Sequence, residues 1–137
     1  MKYELQSTRH AKYLLHAHLV FTPKYRKKIF TKEHFDLMRQ VFEDICLKSD
    51  ARLEEFDGEA DHVHLLVTYP PRISIAVLVN ALKGTSSRRL RQQFAVFKQA
   101  YWGDSVALWS RSYFAASVGG APIEILRQYI EQQKTPD

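Results

Sequence analysis

The stretch His62-Val63-His64-Leu65-Leu66-Val67-Thr68-Tyr69 reads as a β-strand ended by Pro70-Pro71, and the rest of the fold assembles around it. Strand side chains alternate between faces, so Val63, Leu65, Val67 and Tyr69 share a side suited to a core. His62 and His64 share the other. Upstream, Tyr13 to Phe21 repeats the pattern, with Leu15, Ala17, Leu19 and Phe21 inward and His16 and His18 outward, until Thr22-Pro23 ends it. Between these strands, Thr31 is placed to cap a helix running to about Lys48, with Phe35, Met38, Val41, Phe42 and Ile45 along its apolar face. A short polar strand, Ala51 to Phe56, follows and is closed by a turn at Asp57-Gly58.

Downstream, Ser74 caps a helix through Ile75, Leu78, Val79 and Leu82, and after Lys83-Gly84 a further helix covers about Ser86 to Gln99. Tyr113 to Val118 reads as the last strand. Gly119-Gly120 then leads to Pro122, suited to the first turn of a final helix ending near Gln133. Strand, helix, strand, strand, helix, strand and an extra helix predict an α+β fold, the ferredoxin-like split β-α-β antiparallel sheet with helices on one face. In that topology the two His-x-His strands are neighbours, so four histidines are expected on a sheet face that the main helices leave open. The 137 residues contain no repeat, linker or low-complexity tract, and residues 1–137 are expected to form one domain.

No apolar run approaches the roughly 20 residues of a membrane span, and the N-terminal MKYELQSTRHAKY lacks the apolar segment of a secretory signal. A cytoplasmic protein is expected. One cysteine rules out an intramolecular disulfide and a cysteine-based zinc finger, and Cys46, near Val41, Phe42 and Ile45, reads as a small apolar helix residue. The net charge is +5, and its placement says more than its size. Between Asp61 and Asp104 there is no acidic residue, while Arg72, Lys83, Arg88, Arg89, Arg91 and Lys98 all fall there. A second basic run is Lys24-Tyr25-Arg26-Lys27-Lys28. Basic surface without interleaved acid suits a polyanion, although a solvated basic face has the same look.

Two imidazoles two residues apart on a strand point the same way and can reach one metal ion. Spacing alone does not choose among His62-x-His64, His16-x-His18 and ordinary half-exposed histidines. On the final helix, Tyr129 and Gln133 are four apart and therefore neighbours on one face. They could present a phenol and an amide together, or simply pack and face solvent.

The stretch Asp61-His62-Val63-His64-Leu65-Leu66-Val67 resembles the His-hydrophobic-His motif of the HUH nucleases. Its surroundings resemble the single-tyrosine transposases of the smallest insertion sequences, which move as single-stranded DNA. The similar segments are Val20 to Lys28, Ala81 to Ser87, Leu108 to Phe114 and Tyr-Ile-Glu-Gln-Gln from Tyr129 to Gln133, in order and over about Tyr13 to Gln133.

The resemblance implies the HUH nuclease fold, with Tyr129 as nucleophile and His62, His64 and Gln133 as ligands of a divalent cation, Mg²⁺ or Mn²⁺. It implies binding of single-stranded DNA hairpins, strand cleavage and rejoining through a 5′-phosphotyrosine, and a homodimer whose active sites are completed in trans. The C-terminal helix, 121–137, would then be mobile, and the setting a bacterial or archaeal nucleoid. His16, an extra histidine beside His18, leaves open whether Gln133 or a first-strand histidine completes the metal site. Softness rules alone associate imidazole with Zn, Fe or Ni rather than Mg, so the choice of Mg²⁺ or Mn²⁺ comes from the resemblance. Lys24, Arg26, Lys27, Lys83, Arg88 and Arg89 are candidate phosphate contacts, and Tyr25, Trp102 or Trp109 candidate stacking platforms for bases.

Three other readings compete. A non-catalytic nucleic-acid-binding module on the same sheet explains the charge but gives His62, His64, Tyr129 and Gln133 no reason to coincide. A metal-dependent hydrolase of small phosphorylated molecules would favour carboxylate ligands and a phosphate loop, and neither is evident. A domesticated HUH nuclease working on chromosomal repeats shares every feature.

Overall fold

The structure is a computed structural model and describes residues 6–7, 12–13, 15–101, 107–117 and 130–132. Its elements are β1 (Gln6–Ser7), β2 (Lys12–Tyr13), β3 (His16–Phe21), α1 (Lys32–Lys48), β4 (Arg52–Glu59), β5 (His62–Thr68), α2 (Ile75–Gln93), α3 (Ala95–Ala100) and β6 (Phe114–Ser117). A four-stranded sheet has the order β4-β5-β3-β6, antiparallel throughout, which is the expected split β-α-β topology. Strands β1 and β2 form a separate two-stranded ribbon, so the first main strand starts at His16 and Tyr13 pairs with Gln6 instead.

Alternation builds the core. Leu19, Phe21, Val63, Leu65 and Val67 are fully buried on the helix-covered face, against Met38, Val41 and Phe42 of α1 and Leu78, Val79 and Leu82 of α2. Cys46 joins them, and burial raises its thiol pKa to about 12, which keeps it protonated and inert. Thr31 caps α1 as expected, in a capping box with an unusual partner. The Nδ1 of His34 accepts the Thr31 backbone N–H at 3.0 Å, and Phe94 and Phe97 pack edge-on to the imidazole. Ser74 caps α2 by accepting the Val77 N–H at 3.1 Å.

Two glycines behave differently from the sequence reading. Asp57-Gly58 is not a turn. Strand β4 runs through it to Glu59, and the turn falls at Ala60-Asp61. A Cβ at Gly58 would lie 2.5 Å from the His62 carbonyl oxygen, so glycine is there for the close approach of β5. Lys83-Gly84 is not a helix break either. Helix α2 continues to Gln93, and the chain breaks at Phe94, whose backbone is extended. Gly84 keeps its peptide hydrogen-bonding groups, and Leu82, Ser86, Ser87 and Leu90, all buried, seat both halves of the helix on the core.

The second sheet face is less open than expected. Val20 and Leu66 are each 1 % exposed and Thr68 is 2 % exposed on that side, while His16, His18 and His62 are half-buried and His64 is exposed. Ile130–Gln132 is helical, in keeping with the expected final helix. Tyr129, Gln133, Gly119-Gly120 and the remainder of 121–137 lie outside the described residues.

Candidate active site

Register places the histidines. In β5, His62 faces Glu59 across the pair with β4, and His64 faces Asp57. On the other side His64 faces Val20. Cross-strand partners share a face, so each imidazole has a carboxylate residue beside it that the sequence reading had assigned to a turn or left unassigned. The two rings lie 6.2 Å apart between centroids with planes 23° from parallel. Asp61 buttresses one of them. His62 Nδ1 donates to Asp61 Oδ1 at 3.0 Å, and Arg26 Nε donates to Asp61 Oδ2 at 2.8 Å. Burial, the strongest single influence, pushes the Asp61 carboxyl up. The His62 hydrogen bond and the Arg26 charge together outweigh it and hold the pKa below the usual range.

His64 is also shifted. Desolvation first, then the neighbouring His62 and His18, lower its pKa against the opposing pull of Asp57 and Glu55. Neutral imidazole is the ligating form, so His64 is ready for a cation at neutral pH. His62 spends Nδ1 on Asp61 and has Nε2 left for coordination. Donor atoms of Glu59, Asp61 and His62 lie within 4.8 Å of one another. Both Asp61 oxygens already accept hydrogen bonds, so Glu59 is the carboxylate better placed to add a hard oxygen. This donor set fits a divalent cation.

The four histidines share a face but do not converge. His18 faces Leu66 and lies diagonal to His64, whereas His16 faces Thr68, six residues along β5 from His62. At about 3.3 Å per residue that is roughly 20 Å. His16 Nδ1 is instead hydrogen-bonded to Thr68 Oγ1 at 2.8 Å. Near the His62 end, Glu131 joins Tyr25, Arg26, Lys28 and Asp61 around a crevice of about 370 Å³.

The basic residues divide by what they already touch. Arg26 turns inward to Asp61 with 17 % of its side chain exposed. Lys83 Nζ donates to the Ser110 carbonyl at 2.6 Å and sits over Phe21 and Tyr113. Lys27 Nζ donates to the Ala100 carbonyl, also at 2.6 Å, and lies over Tyr101. Arg88 and Arg89 are exposed on α2. Lys83, Arg88, Arg91, Lys98 and Arg111 line a cavity of about 750 Å³ between α2, α3 and residues 107–111, with no carboxylate among its described lining. Sequence reasoning found the cationic stretch and missed Arg111, which lies beyond it. Tyr25 is 49 % exposed and stacks on Tyr101. Trp109, in contrast, is buried and donates its Nε1–H to Ser86 Oγ at 2.9 Å, so it is a core residue and not a platform for bases. Trp102 lies outside the described residues.

Comparison with known proteins identifies the family. Residues 11–133 match the family described as "Transposase IS200 like". The chain is 32% identical over 132 residues to the transposase of insertion sequence element IS200 from Salmonella typhimurium, covering 96% of this chain and 85% of the relative. It is 32% identical over 130 residues to the ISDra2 transposase of Deinococcus radiodurans, covering 95% and 91%. The crystal structure of a candidate transposase from Deinococcus radiodurans R1 superimposes with a TM-score of 0.83 at 34% identity, covering 93% of this chain and 97% of that one. A tyrosine transposase associated with REP sequences, solved bound to a REP hairpin, shares the fold at a TM-score of 0.57 and 8% identity, over 92% of this chain and 69% of that one. No helix among the described residues is long and apolar enough to cross a membrane. With nearly the whole chain matched and relatives about a third identical over most of their length, this protein belongs to the IS200-like transposases, DNA transposases of the HUH type.

Proposed function

We propose that this transposase binds single-stranded DNA through hairpins and cleaves and rejoins it with Tyr129 as nucleophile, beside a divalent cation, Mg²⁺ or Mn²⁺, held by His62, His64 and Gln133. The observation that carries the reading is Glu131 in the crevice with Arg26 and Asp61. With Glu131 in the crevice, the helical turn 130–132 lies beside Asp61, next to the end of β5 that carries His62. Tyr129 and Gln133, two positions to either side of Glu131, are assigned from the family resemblance. The relative with this fold bound to a REP hairpin supports hairpins as the ligand class.

The chemistry is balanced within the DNA. The Tyr129 oxygen attacks the scissile phosphorus and loses its proton, and the bond to the 3′ oxygen breaks to leave a 3′-OH. The 5′ phosphate stays on Tyr129 as a phosphodiester, so a second 3′-OH can reverse the step on another strand without ATP. A tyrosine hydroxyl with a pKa near 10 is protonated at neutral pH, and a bound divalent cation would polarise the phosphate and stabilise the leaving oxygen. Lys24, Lys27, Arg88 and Arg89 would neutralise backbone phosphates, with Lys83 adding charge at the α2 cavity, and Tyr25 would stack on an unpaired base.

The test is incubation with a single-stranded DNA hairpin and Mn²⁺, followed by denaturing electrophoresis. A covalent adduct is expected, and Tyr129→Phe should abolish it while hairpin binding persists. An adduct that survives Tyr129→Phe would place the nucleophile elsewhere. Tyr113 would then come before Tyr101, which is buried, donates its hydroxyl to the Lys24 carbonyl and has its pKa raised by burial and by Tyr25. A non-catalytic binding module would retain the hairpin and give no adduct at all.

A further inference from the structure

Arg26 and Asp61 lie 35 residues apart and meet in a part-buried ion pair whose far end is His62. The geometry points to both as positioning residues: Asp61 fixes His62 in one tautomer, and Arg26 fixes Asp61. This inference rests on the reading of His62 as a metal ligand.

Two observations carry it. A neutral imidazole has one N–H, and a carboxylate oxygen 3.0 Å from Nδ1 draws that proton to Nδ1, which leaves the Nε2 lone pair for the cation. Asp61 itself is 6 % exposed, and a buried carboxylate needs a compensating charge, which Arg26 supplies. The second observation is the backbone that delivers Arg26. Tyr25 and Arg26 have φ of 63° and 50°, two successive non-glycine residues in the left-handed region. Such conformations are costly and persist where surrounding contacts enforce them. Here the Arg26 N–H donates to the Pro23 carbonyl at 2.9 Å and turns the side chain back onto Asp61. The Ala60 carbonyl accepts from the Ile29 and Phe30 N–H groups, which pins the Asp61 turn to the same segment. A residue that the basic run marked as a phosphate contact is therefore built into the support of the metal site.

Asp61→Asn is the informative substitution. Arg26 donates only, so the amide oxygen must face Arg26 and the amide NH₂ must face His62. That group donates to Nδ1 and forces the imidazole proton onto Nε2, the ligating nitrogen. Metal-free protein labelled with ¹⁵N is examined by long-range imidazole NMR, and Mn²⁺ affinity is measured by titration calorimetry. Affinity for a fluorescent single-stranded DNA stem-loop is measured in EDTA over a range of salt. Wild type is expected to show the Nδ1–H tautomer at His62. Asp61→Asn should show Nε2–H and lose about 10–100-fold in Mn²⁺ affinity. Arg26→Gln should lose less, and both variants should bind the stem-loop with the wild-type salt slope. A wild-type Nε2–H tautomer overturns the inference even if Asp61→Asn fails to fold. So does a stem-loop affinity that falls in Arg26→Gln, with a salt slope smaller by about one, because Arg26 would then be a phosphate contact. His62→Ala with unchanged Mn²⁺ affinity would remove the ligand reading itself, an outcome distinct from a tautomer that ignores Asp61.

Discussion

Gly58→Ala and Gly84→Ala are the same chemical change, and the structure gives them opposite signs. At Gly58 the new Cβ would meet the His62 carbonyl oxygen at 2.5 Å, Phe35 Cε1 at 3.1 Å and Val63 Cα at 3.1 Å. Comfortable carbon contacts begin near 3.5 Å, so the oxygen overlaps by about 1 Å. Two of the three neighbours are backbone of β5, which no rotamer change can move. Overpacking of this kind costs about 1–3 kcal/mol. For a domain of this size each kcal/mol moves Tm by about 4 °C, so Gly58→Ala should melt about 4–12 °C below wild type. The displaced group is the backbone of His62, so Mn²⁺ affinity should fall as well. At Gly84, in the middle of α2, an added Cβ meets nothing within 4 Å. Replacing an interior helix glycine with alanine is worth about 0.5–1 kcal/mol, so Gly84→Ala should melt about 2–4 °C higher. Thermal melts followed by circular dichroism, with Mn²⁺ titrations at 20 °C below Tm, separate the two. Gly58→Ala melting at or above wild type, or both variants shifting in the same direction, would refute the assignment of Gly58 to close strand approach.

His62→Ala and His64→Ala should each abolish Mn²⁺-dependent adduct formation, while His16→Ala, tied to Thr68 at the far end of the sheet, should retain it. Equal loss in all three by adduct yield and calorimetry would contradict the register. Burial, partly offset by Glu33, lowers the His34 pKa, so the folded state binds fewer protons there than the unfolded chain. The stability this contributes is fully present above the unfolded value of about 6.5 and is lost as pH falls through the folded value. His34→Gln keeps a capping-box acceptor without titrating, so its denaturation midpoint should fall less than that of wild type between pH 7.5 and 5.5, and parallel curves would contradict this. Finally, Tyr129→Phe mixed with His62→Ala, His64→Ala should recover single-end cleavage if a homodimer completes its sites in trans, the active arrangement having one subunit's helix at its partner's histidines. Well-mixed heterodimers that stay silent would assign the helix to its own subunit, the side of the crevice that Glu131 lines in this structure.

The sheet was legible because alternation is a local property. Leu19, Phe21, Val63, Leu65 and Val67 announce one face, and their order with the helices leaves one sensible topology. Alternation also put His62 and His64 on a shared face correctly, yet it could not say how far along that face His16 would lie. Only the register supplies that distance. Glycine was illegible for a related reason: a turn, a close approach and a tolerated helix interior all spell the same letter, and what separates Gly58 from Gly84 is what stands opposite each. The segments that resemble the family show the same ambiguity at a larger scale. Ser86 and Ser87 accept hydrogen bonds from Trp109 Nε1 and the Leu108 N–H, Lys83 donates to the Ser110 carbonyl, and Lys24 and Ser110 exchange backbone bonds with Leu108 and Thr22. The three segments Val20 to Lys28, Ala81 to Ser87 and Leu108 to Phe114 therefore brace one another in space. Three of their basic residues, Arg26, Lys27 and Lys83, already use their charged groups on the protein, on Asp61, on the Ala100 carbonyl and on the Ser110 carbonyl. Charge counting had grouped them with Arg88 and Arg89. Partner geometry divides them, since a cation already satisfied by a buried carboxylate or a carbonyl has less to gain from a phosphate than one held out in solvent.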